Sequence, residues 1–221
     1  MGRGVLFSRP GVRKTKADGE RSAADVDDES FLVGLFGFLQ ETAEGDIEEE
    51  QIKESGEMTD RIRQVTMEDL DRVTQVEAVC FPPAEAAGKE AFRARIEGFP
   101  ESFFVAEKDG AIIGFINGAV TDERTIRDAM FEDASLHDPK GCYQSIFGLD
   151  VAPEWQHRGI AGELMRHMIE DARKRGRKGL ILTCKDRLIG FYERFGYKSL
   201  GVSASVHGGA VWYDMILEFS E

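Results

Sequence analysis

From residue 61 onward the apolar and polar positions fall into periods that name their elements. Residues 61–65 read as a short strand. Residues 67–81 place Leu70, Val73, Val76, Ala78 and Val79 at helical spacing, and Pro82-Pro83 stops that helix. A second helix covers 89–99, with Phe92 and Ile96 four apart on one face. Strands at 103–108 and 111–120 meet across Asp109-Gly110, a hairpin turn signal. A long polar connection fills 121–141, followed by a strand at 146–151 and a helix at 159–175. In that helix Ile160, Ala161, Leu164, Met165, Met168, Ile169 and Ala172 line one face, while Glu163, Arg166, His167 and Glu170 point elsewhere, and His167 reads as solvated. A strand at 180–184, a helix at 186–195 and a strand pair at 197–206 and 211–219 around Gly208-Gly209 complete the pattern. This order predicts an α/β fold: a mixed, mostly antiparallel sheet with helices on both faces.

Residues 1–60 lack such periodicity and read as a charged, disordered extension to a domain at 61–221. Charge separates the two. Of the net charge of -13, residues 18–60 hold 15 acidic and 2 basic side chains, whereas residues 1–17 hold five basic and no acidic ones. One apolar island, residues 31–39, interrupts the extension. It is too short to span a membrane, and its acidic flanks disfavour an anionic surface.

The acidic balance argues against nucleic acid as a partner. Three cysteines, Cys80, Cys142 and Cys184, form neither a disulfide framework nor a metal-ligand spacing. No secretory segment or membrane span is legible, so a cytoplasmic, monomeric protein without metal is expected; the basic first 17 residues leave an organellar address open.

Two stretches carry chemistry. The strand at 146–151 runs through a Pro-marked turn into Gln156-x-x-Gly159-x-Ala161, which opens a helix. The first turn of a helix offers unpaired N–H groups and the positive end of its dipole, a setting for a pyrophosphate. Gly159 lets phosphate approach the backbone, Ala161 keeps the opening narrow and Arg158 adds charge. The plain alternative is an ordinary helix start, because the string is neither a Walker loop nor G-x-G-x-x-G. The second stretch, 182–197, reads strand, short helix, glycine stop, strand, with Gly196 suited to a left-handed C′ position and Tyr192 just before it. A phenol with a reference pKa of about 10 can protonate a leaving thiolate. The alternative is a core aromatic.

At these motifs, over about residues 61–221, the chain resembles the GCN5-related N-acetyltransferase superfamily, and within it the arylalkylamine (serotonin) N-acetyltransferases. The residues that carry the resemblance are Glu77-x-x-Cys80-Phe-Pro, the phosphate cradle, the run from Cys184 through Phe-Tyr192-Glu-x-Phe-Gly196, and Gly208-Gly209. The resemblance implies acetyl-CoA as co-substrate. Leu149, Asp150 and Val151 would line the pantetheine arm, and Gln156, His157, Arg158, Gly159, Ile160, Ala161 and Gly162 would hold the pyrophosphate. Tyr192 would be the general acid. Where the vertebrate enzymes carry two histidines, this chain has Ser145 and Phe147. The glutamate of the insect enzymes aligns with Glu85, and His207 is its rival as base; a solvated loop residue is the plain alternative for both. Phe81, Pro82 and Phe147 are candidates for an aromatic pocket. The expected reaction is direct acetyl transfer to a small arylalkylamine of the serotonin, tryptamine or phenylethylamine type, with a backbone N–H near Leu149 as oxyanion donor. Two rivals stay open: a protein N-terminal acetyltransferase, disfavoured by Lys185-Asp186-Arg187 in place of an asparagine, and a non-catalytic acyl-CoA-binding module.

Overall fold

A computed structural model describes residues 59–220; the expected extension, its apolar island and the basic first residues therefore lie outside the described residues, apart from the last two positions of the extension. Strand β1 (Arg61–Gln64) leads through a 3-10 turn into helix α1 (Leu70–Cys80). Asp69 fixes that junction: one carboxylate oxygen accepts the Thr66 N–H at 2.8 Å and an Arg63 N–H at 2.6 Å. Helix α2 (Lys89–Gly98) precedes strands β2 (Phe103–Lys108), β3 (Ala111–Asn117) and β4 (Val120–Thr121). The β2–β3 turn carries positive φ at both Asp109 and Gly110, as the Asp-Gly pair predicts. A short helix α3 (Ala129–Glu132) leads to β5 (Tyr143–Ile146) and β6 (Gly148–Val151). Then come α4 (Ile160–Lys174), β7 (Gly179–Cys184), α5 (Ile189–Glu193), β8 (Lys198–Val202) and β9 (Tyr213–Glu218).

The strands form two sheets, ordered β1-β2-β3-β6 and β4-β5-β7-β9-β8. Among the described residues only β5–β7 is parallel; every other pair is antiparallel. The expected α/β fold with helices on both faces is therefore present. Against one face Val73, Val76, Phe92 and Ile96 of α1 and α2 pack on Phe103 and Phe115. Against the other, Leu164, Met165 and Met168 of α4 are fully buried, each worth about 1.5–3 kcal/mol of transfer free energy.

Several sequence expectations need correction. The strand expected at 146–151 starts three residues earlier and parts at Phe147, β5 staying with β7 while β6 pairs with β3. Asn117 and Ala119 hold the two pieces separately, their carbonyls accepting the N–H groups of Phe147 and Ser145 at 2.8 Å each. On α1, Ala78 and Val79 face solvent, Val79 at 59% exposure, and Glu77 and Cys80 occupy the inward face. Their spacing explains this: Glu77 lies four residues after Val73, and Cys80 four after Val76. Gly208-Gly209 is no hairpin tip but part of a 3-10 turn between β8 and β9. His167 is half-buried edge-on against Phe104, 4.6 Å between ring centroids, rather than solvated.

Candidate active site

Where β6 leaves β5, its second edge has no strand partner among the described residues, and a cavity of about 340 Å³ opens between it and β7. Its walls include Leu149 and Val151 on β6, Gln156, His157 and Gly159 before α4, Cys184 and Lys185 at the end of β7, and Tyr192 on α5. The β6 register fixes which backbone groups face inward. Ala152 donates its N–H to Ile113 O at 2.8 Å, so by alternation Asp150 and Gly148 also bond to β3. The amides of Leu149 and Val151 therefore point to the open side. Val151 O already accepts Gln156 Nε2 at 2.9 Å and the Cys80 thiol at 3.3 Å.

The turn into α4 is unusual backbone. His157 and Gly159 both have positive φ, 62° and 82°, and Gly159 is the N-cap of α4. Left-handed residues in such a loop turn consecutive N–H groups toward one concavity, which suits an anion. Gly159 is demanded here by its φ and not by protein packing, since a Cβ would meet no atom within 4 Å. Of the other predicted cradle residues, Ile160 and Ala161 line the cavity, Gly162 faces a second groove beside Arg166 and Arg194, and Arg158 stacks over Trp155 at 5.0 Å.

Tyr192 is buried against Phe191 and Tyr197, yet its residue lines the cavity. Burial first, and the neighbouring Cys184 and Asp150 next, push its phenol well above the usual range, so it stays protonated at neutral pH. Gly196, with φ of 91°, ends the α5 segment as expected.

Glu85 and His207 are brought together, and both are already engaged. Glu85 Oε1 accepts Lys185 Nζ at 2.8 Å, and His207 Nε2 lies 3.1 Å from Glu85 O, where it donates. Gly208 makes this contact feasible: a Cβ there would lie 2.4 Å from Glu85 Cγ. Phe81 and Phe147 line the cavity, joined by Phe131 and Trp212, which the sequence did not single out. Pro82 does not line it; its carbonyl accepts the N–H groups of Glu85 and Ala86 and so shapes the turn that presents Glu85.

The sequence reading also missed a buried polar floor. Glu77, Arg95, Asn117 and Asp150 are each at most 6% exposed. Glu77 Oε1 accepts the Ala87 N–H at 2.7 Å, and Arg95 donates to Asn117 Oδ1 at 3.2 Å and Phe131 O at 2.9 Å. Burial is the main cause that raises the carboxyls of both Glu77 and Asp150, and it lowers the Arg95 guanidinium to about 10. The available signal was a carboxylate and an arginine at inward helical positions, four after Val73 and one before Ile96.

Among the described residues, no group of three or more His, Cys, Asp or Glu side chains is placed to hold a metal ion, and no helix is long and apolar enough to cross a membrane.

The family model described as the acetyltransferase (GNAT) family matches residues 70–197. Among curated proteins, the chain is 28% identical over 130 residues to the probable hydrolase YhcX of Bacillus subtilis (strain 168), covering 55% of this chain and 25% of that protein. It is 25% identical over 109 residues to serotonin N-acetyltransferase of Mesocricetus auratus, covering 49% of this chain and 51% of that one. The chain thus spans a quarter to about half the length of these relatives. Among solved structures, it is similar in fold to the GphF GNAT-like decarboxylase in complex with isobutyryl-CoA, with a TM-score of 0.64 and 23% identity over 72% of this chain and 98% of that one.

Proposed function

The chain belongs to the acetyltransferase (GNAT) family, and we propose that it transfers the acetyl group of acetyl-CoA to the primary amine of a small arylalkylamine. The observation that carries this reading is the unpaired edge of β6, which runs directly into the left-handed turn at the α4 N-terminus and faces Tyr192 across the cavity. An extended pantetheine arm can bond to the inward amides of Leu149 and Val151 as a strand would. Its pyrophosphate then meets the turn at His157 to Gly162, and the groove beside Arg166 and Arg194 suits the nucleotide end.

The chemistry follows from the same placement. The thioester carbonyl, polarised by a β6 N–H, is attacked by the neutral amine. The C–N bond forms and the C–S bond breaks, and the thiolate takes the proton of the Tyr192 hydroxyl. The nitrogen's second proton leaves from the tetrahedral intermediate, and solvent restores the tyrosine. Phe81, Phe131, Phe147 and Trp212 give the acceptor side flat apolar walls, with the Glu85–Lys185 ion pair beside them. Those walls favour an amine carried on an aromatic body.

The test is a panel of amines with acetyl-CoA, read by free thiol release. Phenylethylamine- and tryptamine-type amines should turn over with kcat/KM well above that of aliphatic amines. Turnover of peptide N-termini alone would overturn the substrate class, and CoA binding without turnover of any amine would overturn the activity.

A further inference from the structure

The floor of the cavity holds more acid than its surroundings neutralise. Both carboxylate oxygens of Asp150 and Oε2 of Glu77 are buried without a hydrogen-bond donor among the described residues. Such groups are costly unless they serve a purpose. The two carboxyls line the same cavity and act on each other's charge, which favours one of them carrying a proton. Gly148 keeps the space above them open: a Cβ there would lie 3.1 Å from Asp150 Oδ2 and 3.2 Å from Asn117 Nδ2. Asp150 is also next in sequence to Leu149, whose amide faces the proposed thioester position. Glu77 belongs to the Glu-x-x-Cys-Phe-Pro segment, for which acetyl transfer has so far given no role.

We propose that the Glu77–Asp150 carboxyl pair, and not Glu85 or His207, takes up the proton that the acceptor ammonium must lose before it attacks. This rests on amine acetylation being the reaction. The competing groups are held by other partners: Glu85 is ion-paired to Lys185 through Oε1, with Oε2 buried and without a hydrogen bond, and His207 Nε2 is bonded to the Glu85 carbonyl, whereas among the described residues neither oxygen of Asp150 is engaged. In the step, the substrate R–NH3⁺ gives one proton to the ionised carboxylate of the pair. The nitrogen lone pair so freed forms the C–N bond, and the pair later releases its proton to solvent.

The charged and titratable groups around the pair set its basicity. Cys80 faces it from α1, Arg95 from α2 and Tyr192 from α5, with His207 acting on Glu77 from the loop before β9. Burial raises both carboxyls above the ordinary range, which moves them toward the ammonium they must deprotonate. The Arg95 charge opposes this and favours the ionised form of both.

The experiment is a pH–rate profile of the full chain and its Asp150→Asn, Glu77→Gln, Glu85→Gln and His207→Gln variants with one arylalkylamine. Calorimetric CoA binding serves as the check of folding, and infrared spectra of the unliganded proteins as a second readout. Asp150→Asn should lose about 100-fold or more in kcat/KM at neutral pH, the usual worth of a positioned base. The rate should recover as pH approaches the amine's own pKa. Glu85→Gln should change KM and leave the shape of the profile in place. A protonated-carboxyl band should appear at neutral pH in the unsubstituted protein and vanish in both Asp150→Asn and Glu77→Gln. An unaltered profile in Asp150→Asn overturns the proposal, as does alkaline rescue confined to Glu85→Gln or His207→Gln. Absence of the band overturns it even if the variants fail to fold. If the band is present but no primary amine is acetylated, the acetyl-transfer reading has failed and takes the base role with it, while the shared proton stands.

Discussion

One wall of the cleft is made of backbone, the other of side chains. Along β6 and the start of α4 the groups turned inward are main-chain amides, held by register and by two left-handed residues above an apolar cluster. Facing the acceptor, Glu77, Arg95, Asn117 and Asp150 arrive from four elements and meet in a space that leaves several of their polar atoms unpartnered. A backbone wall depends on conformation, so most side chains along it can change without altering what it offers. A side-chain wall depends on identity, so isosteric changes of one atom alter it.

Substitutions can break this contrast. On the backbone wall the largest effect belongs to Gly159→Val. A β-branched residue at φ of 82° is strained by about 1–3 kcal/mol, enough to weaken CoA binding by up to about 100-fold in calorimetry. Arg158→Ala, which alters the same wall only through a side chain, should weaken it by about tenfold or less. Equal losses from the two would show that charge and not backbone builds the cradle.

Tyr192→Phe removes one oxygen at the junction of the walls. It should lower kcat by about 10²–10⁴-fold while acetyl-CoA affinity holds, measured by single-turnover and binding experiments. A full rate would make Tyr192 packing alone.

The third effect is on stability. Asp150 is raised in the folded protein, so between the ordinary carboxylate range near pH 4 and its folded value the native state binds more protons than the unfolded one. Its contribution to stability is therefore fully present below about pH 4 and is lost as pH rises. Asp150→Asn has no such loss. Its melting temperature should exceed that of the parent by a few degrees at pH 8, about what 1 kcal/mol provides, and converge with it toward pH 4. A variant less stable at every pH would show that the carboxylate is structural.

The smallest effect tests the reading of α1. Val79→Ser, at an exposed position, should stay within about 0.5 kcal/mol in denaturant unfolding.

The backbone wall was the legible one. The amphipathic face of α4, the strand-turn-glycine run before it and the Gly196 stop each leave a periodic or conformational mark on the sequence. The side-chain wall leaves only single polar residues at inward helical positions, because Glu77 and Asp150 are 73 positions apart in the chain and meet only once α1 packs across β6. Ala78 and Val79 drew the α1 face one position too far round, because composition was weighed over the strict i, i+4 succession from Val73 and Val76. The parting at Phe147 was hidden for a different reason: residues 143–151 are continuously strand-like, and what divides them is which neighbour each half bonds to. Gly208-Gly209 looked like a hairpin signal, yet Gly208 is required by its contact with Glu85.

The edge of β6 has a consequence for how the protein exchanges with water. Its partnerless side is an edge strand placed inside the molecule, where other sheets hide or pair such edges. The amide hydrogens of Leu149 and Val151 have no strand to shield them, whereas those of Gly148 and Asp150 are bonded to β3. Deuterium uptake along this one segment should therefore alternate residue by residue, fast at 149 and 151 and slow at 148 and 150. A ligand that lies along the edge would erase the alternation, so the isotope pattern of four consecutive residues reports whether the sheet has gained its missing strand.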